Sequence, residues 1–270
     1  MQRHISTASV ISSRADMVIR IADLPLEWQD EYSDYVRAFS ADTDEKPVMR
    51  ISFEKTLPSC HGIQYTDAKS ERFLRLENGE FLCADAQWTD ATAFYPVPAD
   101  EFALPLAAIC SRFSYYNALL MHASCADIGG EGVIFTGFSG TGKTTQAELW
   151  QKYLGAEIIN GDKIFIRETD GGFYGCGLPW KGSSPYCLNK KTLLRGIVVI
   201  RQAKENKLTH LGNRGAELIL PHLFMPHWDE KCLGNALDTL GRLLEYVPVY
   251  LLECRPDEDA VKLTYNSLFE

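Results

Sequence analysis

Residues 137–144 read GFSGTGKT and match the pattern G-x-x-x-x-G-K-[ST]. An apolar run over residues 132–136 precedes them and predicts a strand. Helix-forming residues follow from 144 to 154 and predict a helix that ends at Gly155. A glycine-rich loop between a strand and a helix is the setting in which this pattern binds phosphate.

Each part of the loop has a physical role in holding a nucleotide. Its glycines let the backbone curl so that N–H groups converge on phosphate oxygens. Lys143 supplies a positive charge to the terminal phosphates, and the hydroxyl of Thr144 can bind Mg²⁺. The donor stays open among ATP, ADP, GTP and pyrophosphate. The residues predicted to hold ATP, or another phosphate donor, are Gly137, Ser139, Gly140, Thr141, Gly142, Lys143, Thr144 and Thr145.

A magnesium site on such a loop usually needs a carboxylate at the end of a neighbouring strand. Asp162 is the acidic residue best placed for this, since it closes the run IINGD at residues 158–162, one helix after the loop. Thr144 and Asp162 are therefore the predicted metal ligands. The alternative is that residues 160–162 form only a turn.

The composition is that of an ordinary globular chain of one large or two smaller domains. Of its 270 residues, 46% are hydrophobic and 23% charged, which excludes a disordered tail, a collagen-like repeat and a simple coiled coil. A formal charge of −9 argues against non-specific binding to nucleic acid or to an anionic membrane. Without a secretory signal or a C-x-x-C pair, the eight cysteines are expected to be reduced, mostly buried thiols in a cytoplasmic protein.

The pattern along the chain predicts a small β-rich N-terminal domain over residues 1–100 and an α/β domain over residues 101–270. Asn78-Gly79 is a hairpin signal within the first. The expected strands lie at 48–53, 72–76, 81–84, 91–95, 121–127, 132–136, 157–166, 173–180, 197–200 and 249–254. The expected helices lie at 102–120, 144–154, 229–245 and 257–268.

Three segments, in their order along the chain, resemble a known family. They are HASCAD at 122–127, GFSGTGKTT at 137–145 and IINGD at 158–162. Together they are similar to the C-terminal kinase domain of HPr kinase/phosphorylase and, more closely, to the looser set of HPr kinase-like proteins, some of which phosphorylate serine on peptides. The wider superfamily includes phosphoenolpyruvate carboxykinase. The resemblance implies an α/β P-loop kinase domain around a mixed, twisted sheet and not a doubly wound parallel one.

The resemblance also implies roles for single residues. Lys143 and Thr144 would act on the nucleotide phosphates and Mg²⁺, with Asp162 as a carboxylate beside the metal. His122 would lie close to the transferring phosphoryl group, although a lone histidine is by itself more often structural. Asp127 matches an acidic residue of the same family segment and completes the implied catalytic set. The implied reaction is an ATP- and Mg-dependent transfer of a phosphoryl group to a hydroxyl, with a serine of a peptide or small protein as acceptor. The resemblance also allows a homo-oligomer.

One position departs from the family pattern. The family usually has two adjacent carboxylates, of which the first is the proposed base for the acceptor serine, whereas this chain has Gly161 followed by Asp162. Transfer could proceed without a strong base, or His122 or Asp127 could accept the proton. The alternative functions are a non-catalytic nucleotide-binding regulator or assembly protein, and a small-molecule kinase of the same fold.

Two further segments each allow two interpretations. Residues 181–207 are rich in Lys and Arg, and would either face the phosphates, with Lys181 and Arg195 as the best candidates, or form a solvated loop and strand edge. Residues 177–184 suit either a loop that closes over the site or a plain connector.

The histidines at 222 and 227 lie near Asp229, a combination that can indicate zinc. Prolines interrupt the helix that zinc-binding spacing would need, and no cysteine pair accompanies them. The sequence therefore favours Asp229 as a helix cap over a metal site.

Overall fold

The computed structural model describes residues 17–29, 34–54, 59–60, 63–64, 71–77, 79–94 and 103–270, so the expectations for positions 78, 95 and 102 lie outside the described residues. The strands are β1 (Met17–Ile21), β2 (Leu24–Gln29), β3 (Met49–Glu54), β4 (Ser59–Cys60), β5 (Ile63–Gln64), β6 (Arg72–Arg75), β7 (Phe81–Ala84), β8 (Asp90–Phe94), β9 (Ala118–Ile128), β10 (Glu131–Thr136), β11 (Glu157–Asn160), β12 (Lys163–Thr169), β13 (Gly172–Cys176), β14 (Lys191–Gln202), β15 (Lys207–His210), β16 (Leu223–Phe224) and β17 (Val249–Cys254). The helices are α1 (Asp34–Arg37), α2 (Ala103–Phe113), α3 (Lys143–Leu154), α4 (Gly215–Ile219), α5 (Glu230–Tyr246) and α6 (Glu258–Phe269), with 3₁₀ turns at Ser114–Tyr116, Gly212–Arg214 and Leu220–His222.

The N-terminal part forms a six-stranded sheet in the order β1-β2-β3-β8-β7-β6. Its strands run both parallel, as in β2–β3–β8, and antiparallel, as in β6–β7–β8. Gly79 connects β6 to β7 at a φ of +93°, which glycine adopts without strain. The strands predicted in this region correspond to β3, β6, β7 and β8, whereas β1, β2, β4 and β5 were not anticipated.

The second sheet is also mixed and follows the order β10-β9-β12-β13-β14-β17-β15. Since β10 pairs with β14 as well as with β9, five of its strands close into a ring. Strands β10, β14 and β17 run parallel to one another, so their carboxyl ends share one edge of the sheet. The expected mixed sheet of an α/β fold is therefore confirmed, and the glycine-rich loop lies at that shared edge.

Helix α2 lies between the two sheets in the chain and shares a buried core with both. Phe113 of α2 packs on Phe165 of β12 with ring centroids 5.1 Å apart. Trp28 of β2 contacts Trp180, in the segment after β13, with centroids 5.8 Å apart. Apolar burial therefore runs continuously from the first sheet to the second, and the domain boundary near residue 100 stays a prediction.

Several predicted elements were wrong in extent: the strand expected over 173–180 ends at Cys176, the strand expected over 197–200 spans 191–202, and two further cases have a physical reason. The helix expected over residues 102–120 ends at Phe113, and Asn117 then turns the chain with a left-handed φ of +54°. The apolar residues after it belong to β9, which is buried on both faces, so their spacing could not separate helix from strand. The strand expected over 157–166 is interrupted at Gly161 and Asp162, which separate β11 from β12.

Two expectations about surface and core can be compared with the described residues. No helix among them is both long and apolar enough to cross a membrane. Seven cysteines have described side chains, and all are free thiols, six of them buried. The prediction of mostly buried cysteines is confirmed for these seven.

Asp229 joins the N-terminal sheet to the second part of the chain. Its Oδ1 accepts a hydrogen bond from the Cys232 backbone N–H and caps α5, as predicted. Its Oδ2 accepts from Arg72 Nε at 2.9 Å and from Trp88 Nε1 at 3.1 Å. Burial alone would raise the pKa of this carboxyl, but the hydrogen bonds from Cys232, Trp88 and Arg72 outweigh it and lower the pKa to about 2.

Replacing Asp229 by Ala is expected to lower the free energy of unfolding by about 2–4 kcal/mol, because the cap and two buried hydrogen bonds are lost. Asp229→Asn keeps a capping oxygen and should cost less. Since the folded pKa lies below the unfolded value, the advantage of wild type over Asp229→Asn should be present above about pH 4 and disappear toward pH 2. Urea titrations across pH measure this, with the exposed Asp238→Ala on the same helix as control. Equal stability of wild type and Asp229→Ala at pH 7 would refute the assignment.

Candidate active site

The loop between β10 and α3 requires glycine at three positions. Gly137, Gly140 and Gly142 have φ values of +147°, +78° and +104°, a region that other residues rarely adopt. A Cβ on Gly137 would also lie 2.8 Å from Thr141 Oγ1 and 3.0 Å from the carbonyl oxygen of Ile200. Backbone curled in this way directs successive N–H groups toward one point, which is the arrangement that binds an anion.

Lys143 is the first residue of α3, and its side chain lies inside the loop. Only 8% of the residue is exposed. Its Nζ donates to the carbonyl oxygens of Gly137 at 3.1 Å and Phe138 at 3.3 Å. Burial lowers the pKa of Lys143, and the nearby Asp162 carboxylate opposes that shift. The loop thus holds an ammonium group in low-dielectric surroundings, where its attraction for a phosphate is strong.

The carbonyl oxygen of Gly161 connects three elements at the site. It accepts a hydrogen bond from Thr144 Oγ1 of α3 at 3.0 Å and from Ser124 Oγ of β9 at 3.1 Å. Both hydroxyls sit close to the loop, one in the helix that follows it and one in the strand beside β10. The turn between β11 and β12 is therefore fixed against the loop and its helix.

Asn160 shapes this turn from its buried side chain. Its Oδ1 accepts from the backbone N–H groups of Asp162 at 2.9 Å and Lys163 at 3.1 Å. Its Nδ2 donates to the carbonyl oxygens of Leu178 at 3.0 Å and Trp180 at 3.2 Å. Residues 160–162 do form a turn, and the same turn presents the Asp162 carboxylate beside the loop. The sequence had marked Asn160 only as part of a possible turn, because the partners of its side chain lie up to twenty positions away.

Asp162 and His122 face each other across adjacent strands. His122 Nδ1 lies 3.4 Å from Asp162 Oδ1, and Lys163 Nζ forms an ion pair with Asp162 Oδ2. The strand register explains the contact, since Lys163 of β12 lies opposite His122 of β9. Burial, followed by the positive charge of Lys143, lowers the pKa of His122, although the charge of Asp162 acts in the other direction. A lowered pKa keeps this imidazole neutral near pH 7, so that it can accept a proton.

His222 lies beside the loop, and the sequence had marked it only as a disfavoured zinc ligand. Its ring stacks edge-on against Phe138, with centroids 5.0 Å apart. Burial, then the charges of Lys143 and His122, lowers its pKa. Among the described residues no three His, Cys, Asp or Glu side chains form a metal-binding cluster. His222 is thus a neutral ring at the phosphate loop, reached by the long connection after β15.

The segment at 177–184 contacts the turn directly. A Cβ added to Gly161 would lie 2.0 Å from Ser184 Oγ and 2.8 Å from Ser184 Cβ. A Cβ added to Gly182 would lie 2.8 Å from the Asp162 carboxylate, and Gly182 also has a φ of +55°. Ser184 therefore occupies the space in which a side chain at position 161 would begin.

Asp127 is not brought to the site. It lies at the far end of β9, opposite Gly132 at the start of β10, whereas the loop follows Thr136 at the end of β10. At about 3.3 Å per residue, this separates it from the loop by roughly 13 Å. Its carboxylate bonds to Lys190 Nζ at 2.6 Å and to the Thr192 hydroxyl. The position of Asp127 therefore gives no support to its inferred catalytic role, because the loop lies at the opposite end of the β9–β10 pair.

The basic segment does not form one positive wall. Arg195 bonds to Glu131 at 2.6 Å, at the same far end of the sheet, so the expectation that it faces the phosphates is wrong. Lys191 pairs with Asp23, and Arg201 lies 3.5 Å from a carboxylate oxygen of Glu253. These cations are distributed along β14, each beside an acidic residue.

Thr144 and Asp162 could supply two oxygen ligands, and Mg²⁺ at a phosphate site usually takes only a few ligands from the protein. Both flank Gly161, one through its hydrogen bond to the Gly161 carbonyl and the other through the peptide bond. Mg²⁺ prefers one or two oxygen ligands from the protein, with phosphate and water completing its octahedron. One hydroxyl and one carboxylate are oxygen ligands, which suit that ion better than zinc.

No family model matches the chain, and no curated protein matches it. Among solved structures, it is similar to the Hpr(Ser) kinase/phosphatase from Coxiella burnetii, with 13% sequence identity and a TM-score of 0.32. That similarity covers 55% of this chain and 87% of the other.

Gly161→Ala is expected to lower the free energy of unfolding by about 1–3 kcal/mol, because the new methyl group overlaps Ser184. Gly161 does not have a positive φ, so the cost is steric and not a matter of backbone strain. Ser184→Gly should remove most of that cost, which a double-mutant cycle by urea denaturation measures. Ser183→Gly, in the exposed neighbouring position, is the control. Purely additive effects of the Gly161 and Ser184 substitutions would disprove the contact.

Proposed function

We propose that the protein is a Mg-dependent kinase that transfers the terminal phosphoryl group of a nucleoside triphosphate to a hydroxyl, with a serine of a peptide or small protein as acceptor. The observation that carries the proposal is the meeting of three elements at one place. Lys143 lies in the curled loop, Asp162 is tied to that loop through Gly161, and His122 lies 3.4 Å from Asp162. Phosphoryl transfer requires mainly positioning and charge stabilisation, and these residues supply both.

The loop would bind the donor through its backbone. The loop and the first turn of α3 follow the carboxyl end of β10, and the start of a helix offers unpaired N–H groups and partial positive charge to an anion there. On binding, Lys143 would exchange its bonds to the Gly137 and Phe138 carbonyls for phosphate oxygens. An ammonium that has already lost its water gives up little hydration in that exchange.

Thr144 and Asp162 would hold Mg²⁺ through a hydroxyl and a carboxylate oxygen. When bound, the ion supplies positive charge that neutralises the phosphate oxygens as the bond to the leaving group breaks. Lys163 already pairs with the second carboxylate oxygen of Asp162, which fixes the direction of the first. The hydroxyl and carboxylate would therefore meet the phosphates from the side of the β11–β12 turn.

His122 would accept the proton of the acceptor hydroxyl. Its Nδ1 is near Asp162 Oδ1, so a proton on Nδ1 leaves the lone pair of Nε2 free. The burial that lowers its pKa keeps it unprotonated and ready to act as a base at neutral pH. Asp127 has no part in this step, since it lies at the far end of β9.

A peptide acceptor is supported by the open apolar surface beside His122. Phe138, at the tip of the loop, is 70% exposed, and Phe224 is also exposed. Phe224 belongs to β16, which pairs with β9 next to His122. Exposed aromatic rings at the mouth of a site favour an extended chain over a small acceptor enclosed by the protein.

A nucleotide-binding regulator without transfer is the second candidate. The observation in its favour is that Ser184 fills the space beside Gly161, where the family to which the sequence is similar usually has a carboxylate base. In that case Asp162 and the loop would serve binding alone.

Lys143→Ala should abolish measurable ATP binding and, where transfer occurs, lower turnover by about a hundredfold or more. Binding is measured by calorimetry with Mg-ATP, and transfer with labelled ATP and a serine-containing peptide. Lys152→Ala, an exposed lysine on the same helix, is the matched control and should change neither. Unchanged nucleotide affinity in Lys143→Ala would refute the site. ATP binding without transfer to any hydroxyl would favour the second candidate.

The pH dependence of kcat/KM should identify the base. Because the proton acceptor must be neutral and its pKa is lowered, the acid limb should have its midpoint below 6.5, with a plateau above pH 7. His122→Asn should remove this limb and lower kcat by about a hundredfold or more. His222→Asn and the exposed His210→Asn should keep it. An unaltered acid limb in His122→Asn would show that another group accepts the proton.

A further inference from the structure

A tight turn at residues 181–184 packs directly against the carboxylate of the candidate site. The backbone N–H of Ser184 donates to the carbonyl oxygen of Lys181 at 3.0 Å and closes this turn. Gly182, its second residue, has a φ of +55°, which favours glycine. A Cβ added to Gly182 would lie 2.8 Å from Asp162 Oδ2 and 3.1 Å from Oδ1. The backbone of the 181–184 turn therefore borders the place at which phosphoryl transfer is proposed.

The segment that carries the 181–184 turn is fixed to the site on both sides of it. Before the turn, Asn160 Nδ2 donates to the carbonyl oxygens of Leu178 and Trp180. After the turn, the backbone N–H of Leu188 donates to the carbonyl oxygen of Ile159 at 2.9 Å. A group tethered this closely has an effective concentration on the order of millimolar or more at the site, which a free peptide rarely reaches. A side chain on the turn is therefore a favoured acceptor even when it fits the site only weakly.

The turn carries two serines, whose hydroxyl groups differ in what holds them. Ser184 is half-buried, and its Oγ accepts a hydrogen bond from the backbone N–H of Tyr186 at 3.2 Å. The same Oγ packs against Gly161. Ser183 is exposed, and its hydroxyl forms no hydrogen bond with any residue that the structure describes. Ser184 thus belongs to the packing of the site, whereas Ser183 presents a hydroxyl that is free to react.

The Ser183 hydroxyl lies within reach of the reacting groups. The Cα of Gly182 is within about 4.6 Å of Asp162 Oδ1, since a carbon–carbon bond adds about 1.5 Å to the distance of its Cβ position. Consecutive Cα atoms are about 3.8 Å apart, which places the Cα of Ser183 within about 9 Å of that oxygen. The same oxygen lies 3.4 Å from His122 Nδ1. A small movement of this exposed turn would bring the hydroxyl to the base without disturbing the strands of the sheet.

We infer that the protein phosphorylates Ser183 of its own chain. The inference rests on the proposed phosphoryl transfer and adds an intramolecular acceptor to it. The Oγ of Ser183 would form a bond to the terminal phosphorus of the donor while the bond from that phosphorus to its bridging oxygen breaks. The nucleoside diphosphate leaves with the electron pair of the broken bond, and Nε2 of His122 takes the proton of the hydroxyl.

The experiment incubates the dephosphorylated protein with Mg²⁺ and ATP labelled at its terminal phosphate, and locates the label by tandem mass spectrometry. Wild type should carry the label on Ser183. The rate constant should not change over an about tenfold range of protein concentration, because the reaction occurs within one chain. Lys143→Ala should remove the label together with nucleotide binding.

Variants of the turn separate loss of the acceptor from loss of the site. Ser183→Ala should lose the label and still bind Mg-ATP in calorimetry as tightly as wild type, because the side chain is exposed. Ser183→Thr retains a hydroxyl and should keep part of the label. Ser184→Ala, the matched change at the neighbouring serine, should still be labelled on Ser183.

Three results would overturn the inference and leave the proposed function standing. They are ATP binding with transfer only to an added serine peptide, a label that persists in Ser183→Ala, and a rate constant that rises with protein concentration. ATP binding without transfer to Ser183 or to any added hydroxyl would overturn the inference and favour the nucleotide-binding regulator. Failure of wild type to bind Mg-ATP would overturn both the inference and the proposed function.

Discussion

The arrangement of the site depends on the two hydrogen bonds that the Gly161 carbonyl oxygen accepts. One comes from Thr144 in the helix after the loop and the other from Ser124 in β9. Each such bond contributes about 1 kcal/mol on balance, but a buried carbonyl left without partners would cost more. Asn160 uses both ends of its amide to hold the adjoining turn. Together these contacts place the Asp162 carboxylate at the loop, close enough for its charge to act on Lys143.

The part of the site that the sequence predicted is the part whose geometry is local. Residues 137–144 form a loop whose curled shape comes from their own backbone, so spacing and glycine content suffice to identify it. Asp162 was predicted as well, because it follows a strand by a fixed distance. His122 needed the family resemblance, since nothing in its own neighbourhood distinguishes it from a structural histidine. Asp127, in the same segment, lies far away because side chains at the two ends of an antiparallel strand are separated by its length.

What the sequence could not predict depends on contacts between distant residues. Gln146 was anticipated only as part of a helix, and its hydrogen bond to the Cys254 sulfur joins residues 108 positions apart. His222 reaches the loop through a connection whose path no periodicity encodes. Helix and strand were confused at 118–120 for a physical reason, since β9 is buried on both faces and lacks the alternation that identifies a strand.

A mixed sheet suits this chemistry because it brings opposite chain directions to one edge. The parallel strand β10 delivers backbone N–H groups at its carboxyl end, while β9 runs back beside it and places His122 next to the loop. Strand β12 begins opposite His122 and so brings Asp162 and Lys163 to the same point. In a fully parallel sheet, β9 would reach this edge only with the residues at its own carboxyl end. Here the cations Lys143 and Lys163 outnumber the single carboxylate of Asp162, which leaves a net positive field suited to a polyanion with its metal ion.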